Sequence, residues 1–191
     1  MKQQILEIAQ NQMKAGGYGN LNFAQIADAL STTRANLHHH FRHKQGLGIA
    51  ATQSYISSSL EFIAALAQKN AGDFSGYITD IEGIVIASIE RGGRQGGCIC
   101  SQIIREEDVP FELLSLSHEF FIKKLEIMKT VIVESQERGT ITKKVDSHQL
   151  ATFASTIIMG MTQMALASDK PKEYAASMKG QMAKWVQQYK T

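Results

Sequence analysis

Phe23-Ala24-Gln25-Ile26-Ala27-Asp28-Ala29-Leu30-Ser31-Thr32-Thr33-Arg34-Ala35-Asn36-Leu37-His38-His39-His40-Phe41 is the stretch on which the fold turns. Its first part places Phe23, Ile26, Ala27 and Leu30 at helical spacing, and Asn22 just before it is a residue whose side chain caps helix amides two and three positions on. Gln25 sits at the capping-box position. Ser31-Thr32 interrupts the pattern, and Thr33 is a second capping residue, opening a short helix through about His40. In that helix Leu37 and Phe41, four apart, face inward and leave Arg34, Asn36, His38 and His39 directed elsewhere. Upstream, Lys2 to about Ala15 shows an apolar stripe of Ile5, Leu6, Ile8, Ala9 and Met13, stopped by Gly16-Gly17 with Tyr18-Gly19-Asn20 continuing the turn. Three short helices with a three-residue turn between the second and third describe a helix-turn-helix.

That geometry makes a physical demand: the first two helices must build a small core so that the third can enter a major groove with its N-terminal residues at the bases. Arg34 and Asn36 can pair with base edges, while Thr33, His38 and Lys44 suit phosphates. The DNA-contacting set is therefore Asn22, Thr33, Arg34, Asn36, His38, His39 and Lys44. The alternative is a plain three-helix head whose polar residues merely face water.

Charge is distributed in the same sense. The chain has 191 residues and a formal charge of +2. Residues 1–47 hold five basic and two acidic side chains, a net +3, and residues 48–191 hold 15 basic and 16 acidic ones, a net −1. Four of the six histidines, His38, His39, His40 and His43, also fall in the first part. A basic head on a near-neutral body suits a polyanion partner at one end.

The head pattern, with Gly17-Tyr18 before it and His43-Lys44-Gln45-Gly46-Leu47 after it, resembles the DNA-binding head of TetR-family transcriptional regulators. Gly17-Tyr18, Ile26-Ala27, Leu37, Phe41, Lys44 and Leu47 match in type and spacing. The departures are Ser31-Thr32 where the family has Gly-Val, Ala35-Asn36 where it has a small Gly-Thr pair, and His38 and His40 where it has tyrosines. The resemblance covers about residues 3–50. It implies an all-α protein of about nine helices, with a helix-turn-helix DNA-binding domain over residues 1–47 and a ligand-binding and dimerisation domain over 48–191.

The body reads as helices throughout. A long helix runs from Lys44 to about Lys69, and Gly72-Asp73 leads into another from Phe74 to about Glu90. A short helix follows from Ile99 to about Glu107, and a long one after Pro110 ends near Arg138. A further helix is capped by Asp146 or Ser147. Ser168-Asp169 and Pro171 open a last helix with Tyr174, Met178, Met182, Trp185, Val186 and Tyr189 on one face. The last two helices are more apolar than a monomer needs. The resemblance makes them the homodimer interface, which suits a two-fold operator; the other reading is an ordinary core. It also implies a ligand cavity, expected among Tyr55, Phe62, Ile81, Val85, Ile103, Phe120 and Phe121.

Cys98 and Cys100 follow the flexible loop Arg91-Gly92-Gly93-Arg94-Gln95-Gly96-Gly97. A cysteine at a helix N-terminus near arginines favours the thiolate. The segment from Gly97-Cys98 to Glu106 resembles one TetR subgroup, in some members of which this cysteine senses electrophiles or oxidants; in many relatives it is a small buried residue. Two cysteines build neither a disulfide scaffold nor a tetrahedral metal site. His38, His39 and His40, about 100° apart on a helix, do not converge on a metal ion. No nucleophile-base constellation, phosphate loop or cofactor motif is present. The N-terminus has no unbroken apolar run of a signal peptide. The longest strongly apolar stretch, Ile157 to Met161, is far below the ~20 residues of a membrane span. The expectation is a cytoplasmic, non-enzymatic regulator, most simply a repressor released from a palindromic DNA operator by a small molecule or by cysteine modification, with no cofactor, metal or membrane. The competing reading is a helical binding or enzyme module with a helix-turn-helix-like head and no operator.

Overall fold

The computed structural model describes residues 1–191 and contains ten α-helices, two short 3-10 turns and no strand beyond one antiparallel bridge, Ile141 to Lys190. The helices are α1 (Lys2–Gly16), α2 (Phe23–Ala29), α3 (Arg34–Phe41), α4 (Lys44–Lys69), α5 (Phe74–Gly92), α6 (Ile99–Ile103), α7 (Phe111–Glu137), α8 (Ser147–Ala167), α9 (Pro171–Met178) and α10 (Gln181–Val186). They form two compact units, one of Met1–Ser59 with Gly97–Phe121, the other of Leu60–Gly96 with Ile122–Thr191. The sequence reading divided the chain once, at residue 47. The first unit is discontinuous because Ile99, Ile103 and Leu113 share one buried core with Ile5, Met13, Ile26, Leu37, Phe41 and Leu47.

Local rules account for most helix ends in the first unit. Gly17, at φ 73° and ψ −167°, takes a backbone conformation open to glycine where α1 ends. The Asn22 side chain accepts hydrogen bonds from the amides of Ala24 (2.9 Å) and Gln25 (3.2 Å), opening α2. Gln25 does not complete a capping box; its side chain accepts instead from Gln12 Nε2 (3.1 Å). Thr33 Oγ1 accepts from the Asn36 amide (3.2 Å) and opens α3.

In the second unit Asp73 caps α5 by accepting from the Gly76 amide (2.9 Å), and Asp146 caps α8 by accepting from the Gln149 amide (2.9 Å). Its main core gathers Phe74, Tyr77 and Ile78 of α5 with Met128, Val131, Ile132, Leu150, Ala154, Met182 and Val186. Burial pushes the Tyr77 phenol up to about 12. The helix expected to run unbroken from Pro171 divides at Gly180, whose φ is 80°. The buried Glu82 carboxylate holds that break by accepting from the amides of Gly180 (2.7 Å) and Met182 (2.9 Å).

The membrane expectation needs one correction. α8 is 21 residues long with a mean hydropathy of 1.4, long and apolar enough to cross a membrane by length and composition. Counting only the unbroken apolar run missed this, because Ala, Ser and Thr extend the uncharged stretch on both sides. One face of α8 is nevertheless committed to the core through Leu150, Ala151, Ala154 and Ala165.

Asp80 accepts from Lys69 Nζ (2.8 Å) and Asn70 Nδ2 (2.9 Å), and these bonds hold its carboxyl below the ordinary 3.8. A carboxyl depressed in the folded state stabilises above its unfolded pKa and loses that contribution as pH falls through it. Asp80→Asn should melt about 2 °C below the parent at neutral pH, a small effect because the ion pair is solvent-accessible. In a pH series of thermal melts the difference should shrink as the medium is acidified through the carboxylate range.

Candidate nucleic-acid interface

Leu37 and Phe41 are the two inward residues of α3, with Leu37 fully buried. Their burial turns Arg34, Ala35, His38, His39 and His40 to solvent. α2 and α3 pack through Phe23, whose ring stacks on His38 with centroids 4.7 Å apart. The turn between them uses a non-glycine residue, Ser31, at φ 49°. α3 ends at Arg42, φ 55°, whose carbonyl accepts from His38 Nδ1 (2.7 Å), so that nitrogen bears the proton.

Beside His38, stacked on Phe23, the other six expected contact residues fall into three groups. Arg34 and His39 are exposed, and Arg34 stands at the N-terminal end of α3. A guanidinium there suits the bidentate edge of guanine. Asn36 is half-buried and donates from Nδ2 to Thr32 Oγ1 (3.0 Å), while Asn22 and Thr33 spend their acceptors on capping. Asn22 shapes α2 and the other two shape α3, and their remaining polar atoms are what a groove could meet. Lys44 is tied in: Nζ donates to the Gly19 carbonyl (2.9 Å) and lies 4.9 Å from the Tyr18 ring centroid.

The sequence reading missed three features of the head. Gln12 bridges α1 to α2, donating to Gln25 and accepting from the Asn22 amide (2.9 Å). His43 Nδ1 accepts from the Gly46 amide (3.1 Å) at the start of α4. Its position three residues before Gly46 was the available signal, since any side-chain acceptor there can cap. Glu106, the end of the segment that begins at Gly97-Cys98, reaches the turn after α1, accepting from Tyr18 and Gly19 amides (2.6 and 2.9 Å), and nothing local in the sequence names these partners. Partial burial and this carboxylate raise the Tyr18 phenol above its ordinary 10.0.

In the same unit Tyr55 and Phe120 lie 6.1 Å apart between ring centroids, and Phe120 and Phe121 5.6 Å. The Tyr55 hydroxyl is within hydrogen-bonding reach of Cys98 and Ser59, and burial and Cys98 drive its phenol well above 10.0. Cys98 is half-buried at the N-cap of α6, and Cys100 is buried. Two expected ligand-lining residues are placed otherwise. Ile103 is fully buried, because it anchors α6 in the head core. Phe62 is 53% exposed on the outer side of α4. Ile81 and Val85 are half-buried in the second unit. Arg94 engages Asp169 (3.6 Å) and the Ser168 carbonyl (3.3 Å) within that unit.

Residues 5–51 match the model of the bacterial regulatory proteins, tetR family. The chain carries a TetR-type head. That head is joined to a fold that recurs along whole chains. A TetR-family transcriptional regulator from Agrobacterium tumefaciens superposes with a TM-score of 0.86 at 19% identity, over 100% of this chain and 97% of that one. The reduced form of Escherichia coli NemR gives 0.78 at 15% identity, over 95% and 96%. A Saccharomonospora viridis protein in complex with choline gives 0.81 at 20% identity, over 97% and 95%. At these identities the likeness is one of fold. No curated protein matches the sequence.

Because Thr33 is the only side-chain cap of α3, Thr33→Ala should cost about 1 kcal/mol of stability. Denaturant unfolding reads the loss, and Thr33→Ser should restore most of it.

Proposed function

We propose that this chain is a homodimeric repressor that places α3 of each protomer in the major groove of a palindromic operator and leaves it when a small effector binds the body. The observation that carries the reading is the exposed surface of α3, with Arg34 at its N-terminal end and His39 five residues on, on a head of net positive charge. The protein then acts by binding rather than by catalysis, in the cytoplasm where its DNA lies. Lys44 supplies phosphate-side charge, and the exposed histidine rings offer N–H donors.

Pairing through the last helices is supported by apolar side chains left on their surface: Phe153 (52% exposed), Met164 (58%), Met159 and Tyr174. An isologous pair of such faces gives the two-fold symmetry that a palindrome requires. An effector site is supported by Tyr55, Phe120 and Phe121 beside two buried hydroxyls without hydrogen-bond partners, Thr52 Oγ1 and Ser117 Oγ. Apolar walls with a few unpaired polar groups suit a small organic molecule; the Saccharomonospora viridis relative by fold is in complex with choline.

Duplex DNA from upstream of the chain's own gene should form a specific complex whose log affinity falls linearly with log salt concentration. Arg34→Ala should lower the ratio of specific to random binding by about 1–3 kcal/mol. Lys44→Ala should weaken both, and specific binding at least as much as random, because the lost Nζ also holds the Gly19 carbonyl. Absence of any specific complex at low salt would remove the operator from the reading.

Release by cysteine modification is a second route, favoured by Cys98 at the start of α6 beside Tyr55. Alkylation should then dissociate the DNA complex of the parent and spare that of Cys98→Ser. Equal behaviour of the two proteins ends the sensor reading.

A further inference from the structure

Glu106 stands in the connection between α6 and α7, 88 residues from the turn it touches. Its two carboxylate oxygens divide the work: Oε1 accepts from the Tyr18 amide at 2.6 Å, Oε2 from the Gly19 amide at 2.9 Å. These amides lie just past the end of α1 and have no helical partner. A carboxylate receiving two N–H groups is a charge-assisted, directional contact, stronger than a neutral pair. The fit is close. Gly17 stands at φ 73°, and a Cβ at this position would run into the Glu106 carboxylate. Opposite, Lys44 donates to the Gly19 carbonyl and covers the Tyr18 ring, and Gly48 lets that ring approach α4 to 3.0 Å of where a Cβ would stand. The turn Gly17–Asn20 is thus held between an anion from residues 97–121 and a cation from α4. It leads directly into Asn22, the cap of α2, so its position sets where α2 begins and how α3 is presented.

Residues 97–121 also carry Cys98, Ser117, Phe120 and Phe121. Gln102 donates to the Lys14 carbonyl (3.5 Å), and α6 packs on α1. Glu106 is the charged contact between this segment and the end of α1.

We infer that Glu106 is a positioning residue for DNA reading: its carboxylate, clamped on the Tyr18 and Gly19 amides, couples the state of residues 97–121 to the orientation of α2 and α3. The inference rests on the DNA-binding reading above. A shift of the 97–121 segment that draws Glu106 away frees the turn without unfolding the head, since the core of Ile5, Ile26, Leu37 and Leu47 stays intact. Specific reading, which needs both α3 helices of a dimer at a fixed angle, is lost before general attraction to phosphate.

The experiment compares parent, Glu106→Gln, Glu106→Asp and Gly17→Ala in the full chain. Readouts are binding to the upstream duplex and to random duplex, thermal melting, and hydrogen exchange of the Tyr18 and Gly19 amides. Glu106→Gln keeps the shape but leaves one acceptor, and should bind the upstream duplex about tenfold more weakly, within the usual range of coupling between sites, with random binding unchanged. Its two amides should exchange faster while melting stays near the parent's. Glu106→Asp should recover part of the specific affinity, and Gly17→Ala, which expels the carboxylate, should lose specific binding as Glu106→Gln does but melt lower, because an L side chain is strained at φ 73°. Unchanged specific binding in Glu106→Gln overturns the inference. So does a loss of specific and random binding together in step with the melting temperature, with no recovery by Asp, for that is a merely structural role. A parent that binds no upstream duplex specifically overturns the DNA reading, and this inference with it; a parent that binds with variants that match it overturns this inference alone.

Discussion

Burial of Leu37 and Phe41 is the constraint on which the rest of the head depends. With these two side chains in one core with Ile5, Ile26 and Leu47, the rotation of α3 about its axis has no freedom left. Every property of the outward face then follows: Arg34 and His39 to solvent, His38 against Phe23, Asn36 against Thr32. A helix of eight residues has little stability of its own, so the core that orients it is also what makes it exist.

Each unit uses the same device where its chain breaks. In the first, Glu106 accepts two amides at the turn after α1; in the second, buried Glu82 accepts two at the start of α10. Neither place has a local Ser, Thr or Asp doing the work. Amides left unpaired at helix ends must be met by something, and here a distant carboxylate meets them. A local cap stabilises one helix. A remote one also ties together segments about a hundred residues apart, so their positions cease to be independent. The second unit adds Ser135, whose hydroxyl donates to the Val131 carbonyl and accepts from the Phe74 amide, linking α7 to α5 in the same manner.

Much of this was legible from short-range pattern. Asn22, Thr33, Asp73 and Asp146 cap the helices that their identities announce, and Gly17 ends α1. Where local reading erred, a competing contact explains it. Gln25 is at the capping-box position but is taken by Gln12. Helix α6 stops at Ile103 rather than near Glu107, in step with Glu106 being drawn to the turn after α1. The last helix divides at Gly180, where Glu82 receives the freed amides. Among the residues named for a ligand, Ile103 is inside the head core and Phe62 is half exposed to solvent. An apolar residue type does not say which neighbour will cover it.

The sequence by itself determined the helices, their caps, the helix-turn-helix pattern and the concentration of positive charge in residues 1–47, because these depend on residues within a few positions of one another. Tertiary structure alone decided that residues 97–121 join the head, that Lys44 is tethered to Gly19, and that Glu106 clamps the turn leading to α2. The reason is range. Periodicity and capping act over one or two turns of helix, whereas a carboxylate finds its amides across 88 residues only after packing has brought them together.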